Sequence, residues 1–295
     1  MSDLILGVDV SDAIARLAIV GGDGESGEIV SQGIVAGIRA GAIKEAAKKA
    51  VAAARGKVGA VAIAVPSAEV AASGDLIEAL SGIGKGKPTT LTAGTAAAIA
   101  EQWRGAARGA KHVISFSIAE HVTAGALIDG KPFGGAHNLA CAVSWLALNP
   151  VEREDYRRLG GLEAEVAAAG IVRRFVWRIK SGDESRVADQ VKGDFSKISA
   201  ADILQGARAG DGVSISVMRD TGKYIGMAVA NLATMFDPEV VVLGGIIASS
   251  GDVMLEAIRA ETTRRLMPQQ AEQIRIVLST LGDDAVALGA ARSVA

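Results

Sequence analysis

Two stretches of this chain spell the same hairpin. VDVSDAIARLAIVGGDG (8–24) and FSIAEHVTAGALIDG (116–130) each read as strand, short loop, strand and a turn holding Asp-Gly. Up to that turn they align without a gap, so that Asp12 falls opposite Glu120 and Val20 opposite Ile128. Each copy leads its own run of strands and helices. The first is followed by the strand-like GEIVSQGIV, a helix over 42–54 with Lys44, Glu45, Lys48 and Lys49 on its wet side, and the buried strand VGAVAIAV. The second leads on to a long apolar helix over 224–236, the buried strand EVVVLGG, a helix over 253–266, the strand IRIVL and a last helix over 285–293. Strands with intervening helices in both halves predict α/β lobes, each with a partly parallel sheet. The expected division is a small N-terminal lobe over 1–108 and a large lobe over 109–295, with the final helix, 284–293, packing back on the small lobe.

Composition narrows the partners. Of the 295 residues 49% are hydrophobic and only 3% aromatic, so the core must be built from Ala, Val, Ile and Leu. That apolar balance predicts a buried subunit interface, a dimer being favoured. The formal charge is −2 and no Lys/Arg block stands out, which argues against nucleic acid and membrane lipid as partners. The first strand, LILGVDV, carries Asp9 and is too short for a signal peptide or a span, and a cytoplasmic protein is expected. Cys141 is the single cysteine, which excludes an intrachain disulfide and a zinc site of several thiolates. His112, His121 and His137 read as strand or loop residues rather than metal ligands.

The segment LTAGTAAAIAEQW (91–103) is a strand end, a tight turn and the start of an Ala-rich helix, with Thr92 or Thr95 placed to cap it. Junctions of this kind often hold a catalytic side chain in α/β proteins, yet this one offers only Thr, Ala, Gly and Thr.

These pieces, in this order, resemble the ROK family of repressors and sugar kinases, within the two-lobed actin-like ATPase (ribonuclease H-like) fold. FDPEVVVLGGIIA (236–248) resembles the family's strand and glycine turn beside the adenosine, LGDDAVALGAA (281–291) its closing helix, and LIDGKPFGGAHN (127–138) its second hairpin and following loop. The resemblance implies two lobes closing on a sugar and Mg-ATP, a phosphate-cradling hairpin loop from each lobe, and a carboxylate that deprotonates the sugar hydroxyl.

Residue by residue, the chemistry is missing. A first phosphate loop like D-x-G-G-T is here Asp9-Val10-Ser11-Asp12-Ala13, which keeps Asp9 on the magnesium side and loses both glycines and the Thr. A phosphate charge about 6 Å from Asp12 would cost roughly 3 kcal/mol at an effective dielectric near 20. The glycine-rich second loop is replaced by Ser117 to Thr123, with Gly125 its nearest survivor and Glu120 a further acid. Against N-D-A-N, in which Asn contacts sugar and Asp is the base, stand Thr92, Ala93, Gly94 and Thr95, with Glu101 matching a trailing Glu. The G-E-x-G-H run of the sugar pocket becomes Cys141 to Trp145, and the zinc segment survives only as Gly160-Gly161-Leu162-Glu163.

The expectation is therefore a ROK-like scaffold that is catalytically inactive and has a binding, regulatory or structural role. No catalytic residue is assigned, Ala93 occupying the base position. Asp9, Gly244 and Gly245 are the residual nucleotide-side positions, and Thr92, Trp145 and Glu163 the cleft positions for a sugar-like ligand. No cofactor and no zinc are expected. The alternative is an ATP-dependent hexose or N-acetylhexosamine kinase with a rebuilt site, Asp9 holding Mg-ATP and Glu163 the sugar. A repressor is disfavoured because the first strand begins with no helix-turn-helix before it.

Overall fold

The computed structural model describes residues 3–21, 28–66 and 74–295. The chain runs β1 (Leu4–Asp9), β2 (Ile14–Gly21), β3 (Glu28–Ala36), α1 (Ala40–Ala54), β4 (Val58–Val65), α2 (Gly74–Leu80), β5 (Thr89–Thr92) and α3 (Ala93–Arg104). It continues through β6 (Val113–Ile118), β7 (Val122–Ile128), β8 (Lys131–Pro132), α4 (Glu154–Leu159), α5 (Gly161–Val166), α6 (Ala168–Lys180), α7 (Arg186–Gln190), α8 (Ala200–Arg208) and α9 (Gly212–Phe236). The last elements are β9 (Val240–Gly245), α10 (Ile246–Ser249), α11 (Gly251–Arg265), α12 (Pro268–Gln273), β10 (Arg275–Leu278) and α13 (Ala285–Arg292).

Two five-stranded sheets result, ordered β3-β2-β1-β4-β5 and β10-β9-β6-β7-β8. Reading the second backwards makes the duplication explicit. Each sheet has an antiparallel hairpin whose first strand pairs in parallel with a later strand, and a further parallel strand beyond it. The repeat read from the sequence therefore extends over whole sheets. Its gap-free alignment does not hold: Asp9 pairs with Arg16, whereas Ser117 pairs with Thr123, so the second hairpin is one residue shorter between equivalent partners. Of the two Asp-Gly turns, the second is a two-residue hairpin loop in which Asp129 and Gly130 both have positive φ (52° and 75°), the combination that suits the twist of paired strands. The first, at residues 22–24, lies outside the described residues.

Each sheet hands a helix to the other. After β5 the chain enters α3, which packs on β6 and β7; after β10 it enters α13, which packs on β1, β2 and β4. The two helices also pack on each other. Small residues make these approaches possible. A Cβ on Gly125 of β7 would stand 2.2 Å from the Gly94 carbonyl oxygen, one on Gly7 of β1 2.0 Å from that of Ala287, and one on Gly289 1.7 Å from that of Ala96. Gly125 is thus a packing glycine between sheet and helix rather than the remnant of a phosphate loop.

The longest helix starts three turns before the sequence suggests. α9 begins behind Asp211, which accepts hydrogen bonds from the Ser214 backbone N (2.9 Å) and hydroxyl (2.6 Å). Gly222 and Gly226, which obscure its periodicity, face α11, where Ala257, Met254 and Glu261 would contact an added Cβ at 3.3 Å or less. No helix among the described residues is long and apolar enough to cross a membrane.

Candidate functional site

The ends of β1, β6 and β9, the two hairpin tips and the first half of α13 meet around a cleft of about 70 Å³. From β1 and its tip come Asp9, Ser11, Asp12 and, across the hairpin, Arg16; from the second hairpin Ser117, Ala119, His121 and Thr123; from the end of β9 Gly244 and Gly245. α3 contributes Ala97 and Glu101, one helical turn apart, and the segment before α13 contributes Ser279, Gly282 and Asp283. The volume suits a few waters. A hexose or nucleotide needs several times as much.

Asp9 is the centre of the acidic side. It is 3% exposed, and its Oδ1 accepts from the Ser11 backbone N at 2.9 Å and the Ser11 hydroxyl at 2.6 Å. Burial raises its carboxyl above the usual range; the Ser11 bonds and the Arg16 charge oppose this, and Asp12 adds to it. Asp12 is itself a turn residue, its Oδ1 accepting from the Ala13 N at 2.7 Å, and it lines the same cleft. Arg16, the one guanidinium on the cleft wall among the described residues, is joined to Asp283 at 2.7 Å across the gap before α13.

Glu101 lies on this wall as well, two turns along α3 from Ala93. Its carboxylate is committed: the Ser279 hydroxyl donates to Oε1 at 2.5 Å and the Ala106 N to Oε2 at 2.8 Å. Burial raises its carboxyl too. The sequence marks Glu101 only as the match to a trailing Glu and does not single out Arg16, Ser279 or Asp283; the acidic pair in LGDD is the available signal for the last.

The other expected positions scatter. Thr92 is the N-cap of α3, accepting from the Thr95 N at 3.3 Å and donating to the Thr95 hydroxyl at 2.8 Å; it is buried and absent from this cleft wall. Ala93 is 1% exposed. Trp145 ends a short 3₁₀ turn, is 56% exposed and is absent from the cleft wall. Glu163 sits in the first turn of α5 but is not a surface residue. Its Oε1 is 3.1 Å from His121 Nδ1 and its Oε2 accepts from the Val122 N at 3.0 Å, so both oxygens brace the second hairpin instead of facing a ligand. Glu120 is exposed at that tip and does not line the cleft. Gly244 and Gly245 do line it, and Gly245 is also required by the turn: its φ is 62° and a Cβ would stand 2.0 Å from the Ile118 carbonyl oxygen. Burial pushes the Cys141 thiol up to about 11, away from the thiolate form.

A profile of the ROK family matches residues 42–295. The chain belongs to the ROK family. Its curated relatives include a glucokinase of Halalkalibacterium halodurans, 29% identical over 65% of this chain and 59% of that protein. A xylose repressor of Caldicellulosiruptor bescii is also 29% identical, over 66% of this chain and 48% of the repressor. The chain thus matches less than two thirds of the length of either. Among solved structures, a ROK glucokinase from Streptomyces griseus in complex with glucose and AMPPNP superposes with a TM-score of 0.77 at 24% identity, covering 98% of each chain. These likenesses establish the ROK fold, the two-lobed actin-like ATPase architecture expected from the sequence.

Against this family background, the cleft residues do not fit a nucleotide triphosphate and its magnesium as they stand. Asp9 is a hard-oxygen donor of the right kind, but the neighbouring wall is Asp12, whose charge already disfavours ionisation of Asp9. The guanidinium that could face phosphate is held by Asp283. At the tips, Ser11, Asp12 and His121 line the cleft at positions where the family pattern has glycines.

Proposed function

We propose that this ROK-family protein uses the sugar-kinase scaffold for binding or regulation and does not transfer phosphate. The observation that carries the reading is Ala93: at the strand-to-helix junction where the family pattern has its base, the chain has a buried methyl group. A positioned base contributes about 10² to 10⁴ in rate, or roughly 3–5 kcal/mol of transition-state stabilisation. The acidic, glycine-poor hairpin tips support the same reading, and so does Glu101 on the cleft wall, whose two carboxylate oxygens are engaged by Ser279 and Ala106. The ligand class is a sugar-like small molecule admitted when the lobes part, with a homodimer as the assembly and no role for zinc.

The curated relatives favour a second reading more directly. Proteins named as glucokinases lie among them, and Asp9 remains on the cleft wall, so an ATP-dependent sugar kinase with a rebuilt site is the competing function. Relatives named as repressors bring DNA into the same comparison. Calorimetric titration with Mg-ATP, followed by a coupled assay of sugar-dependent ADP release over a panel of hexoses, separates the readings. Flat titration with sugar binding intact is the expected result. ADP release that requires a sugar would establish the kinase, and retarded duplex DNA at physiological salt a regulator acting on DNA.

A further inference from the structure

Three arginines converge on one buried glutamate in the large lobe, outside the cleft. Glu165 on α5 is only 5% exposed at its side chain. Its Oε1 accepts from the Tyr156 hydroxyl at 2.5 Å, from Arg173 at 3.2 Å and from Arg153 at 3.4 Å, and its Oε2 accepts from Arg174 at 3.0 Å. Asp155 is the second carboxylate, paired with both Arg153 and Arg173. Three guanidinium groups therefore face two carboxylates, one positive charge in excess. Of the nearby acids, Asp220 is paired with Lys223 and Asp183 with Arg178.

The donors also outnumber the acceptors. Arg174 spends its terminal nitrogens on Glu165 and Thr221, while its Nε is buried with no hydrogen-bond partner among the described residues. Burial pushes the Arg173 guanidinium down to about 10, and the charges of Arg153 and Arg174 push in the same direction. Positive charge here is under-compensated, which is the condition an added anion relieves.

The cluster borders a groove of about 450 Å³, within the range of small-molecule pockets. Its walls hold Arg153, Arg173 and Arg174 beside Tyr156, Tyr224 and Trp177, and it shares no residue with the interlobe cleft. Arg153 lies over the Tyr156 ring at 5.4 Å and Arg174 over Tyr224 at 5.5 Å, so planar groups already stack along the wall. Trp177 is 67% exposed, a large flat surface at the rim.

We propose that this groove binds a small organic oxyanion, a phosphate or carboxylate head carried on a flat ring, with the head against Arg153 and Arg173 and the ring against Trp177. Forked guanidinium donors match such heads geometrically, and the indole face supplies the apolar contact.

Phenyl phosphate and inorganic phosphate serve as probes, each titrated by calorimetry into the full-length protein at about 0.15 M ionic strength, where loose surface attraction is screened. Phenyl phosphate is expected to saturate with a Kd below about 1 mM, and inorganic phosphate to bind at least about tenfold more weakly. Arg153→Ala should weaken phenyl phosphate about tenfold or more, and Trp177→Ala should weaken phenyl phosphate while leaving inorganic phosphate unchanged. Both side chains are well exposed, so the fold should survive; thermal unfolding checks this, and Arg153→Gln replaces any variant that fails it. Asp9→Asn, in the separate cleft, should bind like the native chain. Absence of saturation by about 10 mM phenyl phosphate, equal affinity for the two probes, or loss of binding in Asp9→Asn but not in Arg153→Ala would each overturn the proposal.

Discussion

Gly94, the second residue of α3, lies with its backbone against Ala124 of β7: a Cβ at position 94 would stand 2.0 Å from the Ala124 carbonyl oxygen. The neighbour is backbone within a paired strand, so it cannot swing aside. Gly94→Ala should lower stability by about 3 kcal/mol or more, read as a shift of the denaturant midpoint at unchanged slope. Gly41→Ala in α1 is the control: nothing lies within 4 Å of its added Cβ, and the change should be within about 1 kcal/mol and toward stabilisation. Equal effects at the two positions would refute the close helix-to-strand approach.

Asp9 titrates in a direction that costs stability at neutral pH. Its folded carboxyl is raised above 3.8, chiefly by burial, so the fold holds the proton more tightly than the unfolded chain does. Stability must then fall as pH rises from the ordinary carboxylate range through the raised value, and it stays reduced above it. Asp9→Asn keeps an oxygen for Ser11 and removes the charge. The variant should melt higher than the native protein at pH 7, with the advantage fading below about pH 4. A lower melting temperature at pH 7 would mean that Asp9 is held ionised by a partner.

The two tyrosines of the chain should remain protonated in strongly alkaline solution. Burial and the Glu165 hydrogen bond push Tyr156 up to about 12, and burial with the Glu165 charge raises Tyr224. Because the folded values lie above those of the unfolded chain, the corresponding stability is present below about pH 10 and is lost as pH rises toward about 12. Phenolate absorbance should stay flat past pH 10 while the fold persists, then rise with unfolding. A simple titration near pH 10 in the folded protein would contradict the geometry around Glu165.

Restoring one group should not restore transfer. Ala93→Asp places a carboxyl at a site that is 1% exposed, and the expected cost is about 1–3 kcal/mol of stability. Sugar-dependent ADP release should remain absent, because the hairpin tips and the Arg16–Asp283 pair are unchanged. Turnover in this single variant would show that the tips still hold nucleotide.

Local pattern carried most of the fold. The continuous apolar run of VGAVAIAV, the Asp-Gly turn after β7 and the twofold hairpin are properties of neighbouring residues, and they determine strands and turns wherever the chain goes. The sequence pattern starts this helix at 224, just after Gly222, whereas Gly222 sits within α9 because of the close approach of α11, which is not local. The absence of a base at Ala93 and of glycines at both tips is likewise written in the sequence. What shares the cleft is not. Arg16 meets Asp283 across 267 residues and Glu101 meets Ser279 across 178, because α3 and α13 are exchanged between the sheets and cross through Ala96 and Gly289. That crossing decided that Glu101 reaches the cleft, while the pairing of Glu163 with His121 comes from α5 packing against the second hairpin, and both depend on which surfaces pack rather than on what each segment prefers.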